Sequence, residues 1–230
     1  QGPEAFELLG EVVQVANSAF QGDLLIVGAG IAGLAAAAAA RKTAPGCRIT
    51  LVNAEAEAPY QRLNLTRYLA GAVVRASLPV HPAEWYAEQR IELVAGRVAS
   101  LDVTAKRLVL SDGSALSWDR LVLATGANAN RPPIPGSELP GVQVCRTLAD
   151  ADAILARAVA GTRVVVVGGG VLGLEKAGAL AGRGCHVQVL ELAPSLMGRQ
   201  LDAGGGACLA RHLARVGIEV LTGVGVVRLT

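Results

Sequence analysis

Short apolar runs alternate with longer stretches whose apolar residues recur at helical spacing, and this order appears twice along the chain. Leu24 to Val27 is a compact apolar run that predicts a buried strand. Ile31 to about Lys42 predicts a helix, which Pro45-Gly46 ends. Arg48 to Val52 predicts the second strand. Pro59 to Gly71 reads as a loop with a short helix, and Pro82 to Gln89 as a helix with proline at an early position. A short strand is expected at Ile91 to Val94. Next, Arg97–Asp102, Arg107–Leu110 and Ala115–Trp118 alternate as a small antiparallel meander, with Asp112-Gly113 at one turn. Leu121 to Ala124 is a further buried strand, running into Thr125-Gly126. Arg131 to Gly141 is rich in proline, stiff and poor in donors, and reads as a linker. The second series then begins. It has a helix at Leu148–Val159, a strand at Arg163–Val167, a helix from Val171 to about Ala181 and a strand at His186–Leu190. A helix at Leu201–Val216 and strands at Ile218–Leu221 and Val224–Leu229 complete it.

At the same point in both series, a strand turns straight into a helix through glycines. The first is Gly28-x-Gly30-x-x-Gly33 and the second Gly168-x-Gly170-x-x-Gly173. The first glycine of each permits the turn, the second lets backbone approach a pyrophosphate, and the third lets helix lie close on strand. The N–H groups and dipole at the helix start then favour phosphate. Two such loops predict two dinucleotide sites, one for a resident redox cofactor and one for an exchanging one. Glu191 follows the strand His186–Leu190, roughly 20 residues after the second loop, where a carboxylate grips the adenosine ribose diol. It favours NADH over NADPH, whose 2′-phosphate would bring like charge against it. Arg199 is the one nearby cation that could receive that phosphate, but it lies further along than the usual position. Alternative readings remain for several positions. Glu191 is otherwise a solvated strand end, Glu175 a helix-start glutamate favoured by the dipole, and Trp85 and Trp118 are packing residues.

Composition narrows the classes. The chain has 230 residues, long enough for one or two domains with real cores, and a net charge of only +2. No basic run argues for nucleic acid or an acidic membrane surface. Apolar residues make up 52% but aromatics 3%, so the apolar mass is Ala, Val and Leu, as buried parallel strands and close-packed helices require. Leu24 to Ala40 is apolar throughout, yet falls short of a span of about 20 residues and carries its glycines at loop spacing. No secretory signal is read at the N-terminus. The four cysteines, Cys47, Cys145, Cys185 and Cys208, show neither C-x-x-C nor metal-ligand spacing. No metal site is therefore expected, and a reducing cytoplasm suits the chain.

The order of glycine loop, Pro59-Tyr60-x-Arg62, meander, Ala124-Thr125-Gly126, proline-rich crossing and second loop resembles the FAD-dependent pyridine nucleotide-disulfide oxidoreductases. The branch it is most similar to holds rubredoxin reductases, ferredoxin reductases and the flavin half of NADH nitrite reductase. Leu196-Met197-Gly198-Arg199-Gln200-Leu201-Asp202 carries the likeness further, which runs from about Asp23 to Thr230. The resemblance implies an α/β fold of two Rossmann-like units, the first with an antiparallel β-meander insertion. Residues 23–145 would bind FAD and residues 146–230 NADH, as the N-terminal part of a longer enzyme. Gly28, Gly30 and Gly33 match the FAD pyrophosphate loop, and Gly168, Gly170 and Gly173 the nicotinamide nucleotide loop. Glu55 matches the acidic position on the FAD ribose, with a solvated loop carboxylate as the alternative, although the strand itself ends at Asn53, whose amide can also bond a ribose hydroxyl. Arg62 matches an arginine beside FAD, with a surface guanidinium as the alternative. Thr125 and Gly126 match the strand end that packs on FAD. Arg67 falls where ferredoxin reductases carry a lysine near the flavin edge, although arginine and lysine are not equivalent. Glu175 matches a carboxylate near the nicotinamide–flavin contact. Lys176 stands where a small residue is usual.

The resemblance implies hydride transfer from NADH to FAD, then single electrons to a redox acceptor protein or a fused metal domain such as rubredoxin, an iron–sulfur protein or sirohaem. Thiol-using relatives carry a cysteine where this chain has Leu63 to Gly71, which contains none, so thiol chemistry is not expected there. The other readings are an oxygen-reducing NADH oxidase or flavin reductase, and a non-catalytic FAD-binding signalling module. Residues 1–22 read as a leader, and Gly2 to Leu9 resembles the closing stretch of a rubredoxin, which would imply an iron domain upstream. The sequence is silent on oligomeric state.

Overall fold

A computed structural model describes residues 20–230, so the expectation for residues 1–22 lies almost wholly outside the described residues. The chain forms two compact units. Of the described residues, the first holds 20–61 and Pro79–Ala127, and the second Arg62–Leu78 and Asn128–Thr230.

The first unit is built on β1 (Asp23–Val27), followed by α1 (Ile31–Thr43) and β2 (Arg48–Asn53). After the excursion into the second unit, which carries α2 (Leu65–Leu69), come α3 (Ala83–Glu88) and β3 (Ile91–Ala95). The meander β4 (Val98–Asp102), β5 (Arg107–Leu110) and β6 (Ala115–Ser117) precedes β7 (Arg120–Leu123). The parallel sheet runs in the order β3-β2-β1-β7, and the meander is a separate three-stranded antiparallel sheet. Alternation along β1 explains why both faces are dry. Leu24 and Ile26 pack with Leu34, Ala37, Ile49 and Leu51 on the helical side. Leu25 and Val27 pack with Leu108, Leu110 and Trp118 on the meander side. Trp118 is thus the packing residue the sequence suggested. The alanines of α1 let it lie close, and Ala37 is fully buried. At the far end, Arg41 donates to the carbonyls of Gln89, Pro45, Cys47 and Arg90 at 2.6–2.9 Å, tying the last turn of α1 to the loops beside it.

The second unit contains α2, α4 (Leu148–Leu155), β8 (Arg163–Val167), α5 (Val171–Ala181), β9 (His186–Glu191), α6 (Ala203–Arg215) and β10 (Ile218–Thr222). Its sheet is parallel, in the order β10-β9-β8. Ala177, Leu180, Val187, Val189, Leu213 and Ile218 form its core. Thr147 and Asp150 make a reciprocal capping box that starts α4. Asp202 caps α6 by accepting from the Gly205 N–H at 2.7 Å. On the opposite sheet face Val165 and Val167 remain exposed, whereas the same face of the first unit carries the meander.

Two expectations differ from the structure. Val224–Leu229 alternates like a strand but forms none, because no strand among the described residues lies antiparallel to it as β5 lies to β4. The Leu229 N–H is taken instead by the Pro135 carbonyl at 2.8 Å. That bond also folds the proline-rich stretch into the second unit, where turn bonds at Ile134, Ser137 and Leu139 give it structure of its own. The helix expected at Leu148–Val159 stops at Leu155, four residues short, as the chain tightens into turns. Residues 62–78 fall within the second compact unit, where Thr66, Tyr68 and the Leu69 carbonyl bond residues of that unit.

Candidate functional site

Both glycine loops have the same construction. Gly28 and Gly168 sit in the left-handed region at φ +106° and +114°, so the turn needs glycine. Their N–H groups bond the ends of neighbouring strands, Gly28 to Val52 at 3.0 Å and Gly168 to Leu190 at 2.8 Å. A Cβ on Gly33 would fall 1.9 Å from the Gly28 carbonyl oxygen, and one on Gly173 2.1 Å from that of Gly168. These are the close helix–strand contacts the pattern predicted. Gly30 and Gly170 differ: a Cβ there meets nothing within 4 Å. Each is the N-cap of its helix, with extended backbone and no side chain capping the first turn. Open space in front of an uncapped helix start is what a pyrophosphate requires, so both loops fit the group.

Around the first loop, the end of β7 lies against Gly28, whose Cβ would come 2.2 Å from the Ala124 carbonyl oxygen and 3.0 Å from Thr125 Cα. Ala124 and Thr125 are thus brought to the loop, and Gly126 is the next residue in the chain. At the end of β2, Asn53 Nδ2 donates to the Glu57 carbonyl at 2.7 Å and its Oδ1 accepts from the Glu55 N–H at 3.3 Å. Glu55 in turn accepts from the Tyr60 hydroxyl at 2.6 Å. Asn53 and Glu55 therefore stand together, and Tyr60, which the sequence had placed only in a motif, holds the Glu55 carboxylate.

Around the second loop, Glu191 is a structural part of the turn. Its Oε2 accepts from the Gly169 N–H at 2.6 Å and its Oε1 from the Ala193 N–H at 2.7 Å. A carboxylate has about four lone-pair sites, so acceptor capacity remains for two ribose hydroxyls. A Cβ on Gly169 would meet Leu196 Cδ2 at 2.4 Å, which explains a fourth glycine inside this loop.

Arg62 and Arg67 fall in the second unit. Arg62 donates to the Arg146 carbonyl, and Arg67 is exposed, reaching Asn64 Oδ1 at 3.5 Å. Glu175, on α5, accepts from the Thr66 hydroxyl at 3.0 Å. Lys176 donates to the same hydroxyl at 2.8 Å. Sequence reading missed Thr66, and its partner is too distant along the chain for any local signal. Tyr68 donates to Asp152 at 2.7 Å, and Arg75 pairs with the other oxygen of Asp152 at 3.2 Å. Burial pushes the half-buried Cys145 thiol up, against the pull of the nearby Lys176 ammonium.

Fold and loops together define an α/β protein of two Rossmann-like units, each presenting a glycine loop shaped for a dinucleotide pyrophosphate. The chain belongs to the pyridine nucleotide-disulphide oxidoreductase family, whose profile matches residues 22–230. It is 43% identical over 176 residues to the large subunit of nitrite reductase [NAD(P)H] of Klebsiella oxytoca, covering 76% of this chain and 18% of that protein. It is 36% identical over 197 residues to rubredoxin-NAD(+) reductase of Pseudomonas putida, covering 85% of this chain and 51% of the relative. Among solved structures, a ferredoxin reductase of Rhodopseudomonas palustris superposes with a TM-score of 0.85 at 34% identity, over 90% of this chain and 52% of that one. The chain thus spans about half the length of these reductases and a smaller part of the nitrite reductase. Among the described residues, no helix is long and apolar enough to cross a membrane. The apolar run from Leu24 to Ala40 is divided between β1 and α1.

Proposed function

We propose that the protein is part of an NADH-dependent flavoprotein reductase that takes hydride from NADH onto FAD and delivers electrons singly to an acceptor. One observation carries this reading: two loops of one design, each with an open second glycine before an uncapped helix. FAD supplies a two-electron store that can be emptied one electron at a time. In this reading Gly28, Gly30 and Gly33 hold its pyrophosphate, with Asn53 and Glu55 on its ribose and Arg62, Thr125 and Gly126 beside it. Gly168, Gly170 and Gly173 hold the pyrophosphate of NADH, and Glu191 holds its ribose. Arg67 and Glu175 set the charge around the flavin and nicotinamide rings. Hydride transfer needs no protein acid or base, so these residues act by orientation and electrostatics. Bound FAD would accept one hydride from NADH, which would leave as NAD⁺, and would give up two electrons one at a time together with one proton.

The acceptor is a small redox protein or a metal centre, as the names of the rubredoxin and ferredoxin reductases above suggest, and the cytoplasm is the compartment that four unpaired cysteines suit. The test is anaerobic titration of the FAD-loaded protein with NADH, followed by a one-electron carrier. Loss of the flavin's visible absorption, regained on adding the carrier, is the expected result. Regain only with oxygen would favour an oxidase, and no bleaching at all a binding module.

A further inference from the structure

We propose that Leu196 and Met197 are positioning residues, which together with Glu191 clasp Gly169 and hold the second glycine loop in its binding shape before a nucleotide arrives. This rests on the reading that the second loop takes a dinucleotide pyrophosphate. Both backbone polar groups of Gly169 are engaged by the stretch that ends β9 and follows it. The Gly169 N–H donates to Glu191 Oε2 at 2.6 Å, and its carbonyl accepts from the Met197 N–H at 3.0 Å. A peptide unit is planar and trans, so fixing the Gly169 carbonyl also fixes the direction of the Gly170 N–H. Gly170 is the open residue at the start of α5. Leu196, only 1% exposed, completes the clasp, with Cδ2 in the space that a Gly169 side chain would need.

Met197 sits in the left-handed region at φ +50°, which a side chain disfavours. Such a conformation persists where its surroundings over-determine it. Here the Met197 carbonyl accepts from the Gln200 and Leu201 N–H groups at 2.8 and 2.9 Å, while its own N–H holds Gly169. The first loop is built differently. It has Ala29 where the second has Gly169, so a side chain fits there. Asn53, at the end of β2, commits its amide to Glu55 and Glu57 of its own loop. A resident cofactor can order its loop once. An exchanging nucleotide meets an empty loop in every turnover, and a loop already shaped binds it without an ordering step.

The probe for the test is the fluorescent etheno derivative of ADP-ribose, which carries the pyrophosphate but no nicotinamide to react. Stopped-flow mixing gives its association and dissociation rates. Gly169 lies outside the left-handed region, so Gly169→Ala is opposed by Leu196 and Glu191 and not by its own backbone. It is expected to slow association about tenfold and leave dissociation within about twofold, because fewer molecules hold the competent loop. A lost ligand contact would speed dissociation instead. Leu196→Val removes the Cδ2 atom that the new methyl would meet. The pair Gly169→Ala/Leu196→Val is therefore expected to recover association to within about threefold of the unmodified protein. Should Gly169→Ala fail to fold, Leu196→Val alone gives a second reading, with association about threefold slower and dissociation unchanged. Faster dissociation with association unchanged, a lowered denaturation midpoint with both rates unchanged, or a pair whose losses simply multiply would overturn the proposal. If the unmodified protein binds neither this probe nor NADH, the nucleotide reading of the second loop itself falls, and this one with it.

Discussion

Two glycines in one loop have opposite tolerances. Gly170 faces open space with extended backbone, so Gly170→Val is expected to change stability by no more than about 1 kcal/mol while abolishing nucleotide binding. Gly173→Ala should do the reverse, costing about 1–3 kcal/mol because its Cβ would overlap the Gly168 carbonyl. Chemical denaturation beside a nucleotide titration separates them, and equal stability losses in both variants would show that the open glycine is not a ligand position. The same contrast holds for Gly30 and Gly33 with FAD. Glu191 gives a specificity test. The unmodified protein should prefer NADH by at least about tenfold, or ~1.4 kcal/mol, and Glu191→Ala should shrink that preference mainly by weakening NADH. Since Glu191 also ties down Gly169, some loss of NADPH affinity is expected as well. Equal use of the two nucleotides by the unmodified protein would remove Glu191 from the ribose. The glycines were legible in the sequence because a loop of six residues is a local object. Lys176 was not, because its partner Thr66 is 110 positions away.

At the scale of elements, α2 is the instructive case. Five residues are too few for a helix to persist alone, so α2 depends on what holds it. Leu65 and Leu69 bury its apolar side, and Tyr68, Thr66 and the Leu69 carbonyl bond residues of α4, α5 and Arg183. The Tyr68 phenol is held above its ordinary value, first by its hydrogen bond to Asp152 and then by burial, with Arg75 and Arg183 pulling the other way. A raised value favours the neutral phenol in the folded protein. Its stabilisation is therefore complete below the ordinary phenol range and is lost as pH rises through the raised value. Tyr68→Phe should cost about 1 kcal/mol or less at neutral pH, since the network is partly solvated. That difference should vanish well above about pH 10. A difference that persists there would mean that packing, not the hydroxyl, sets it. The same scale shows why Val224–Leu229 misled. Alternation reports which residues suit a sheet, but a strand also needs a partner for its backbone groups.

For the whole molecule, the four cysteines give a test of the electron route. Cys47 and Cys185 are buried, Cys145 is half-buried and Cys208 is exposed. Alkylation of all accessible thiols should leave NADH-to-carrier transfer largely intact. Flavin reduction that survives while reoxidation fails would point to a thiol in the path. The two-unit architecture was legible because the strand–glycine–helix series repeats, whereas the grouping of 62–78 was not, because it depends on side chains meeting far along the chain. That grouping also bears on how the polypeptide is made. The main chain leaves one unit after Gln61, returns at Pro79, and departs again after Ala127. A ribosome adding about 5–20 residues each second would expose α2 for several seconds before Lys176 is synthesised. During that interval Leu65 and Leu69, buried in the finished fold, stand without the helix that packs against α2. A gene fragment cut cleanly at residue 128 would express the second unit without this strip, leaving the α5 surface that receives it bare.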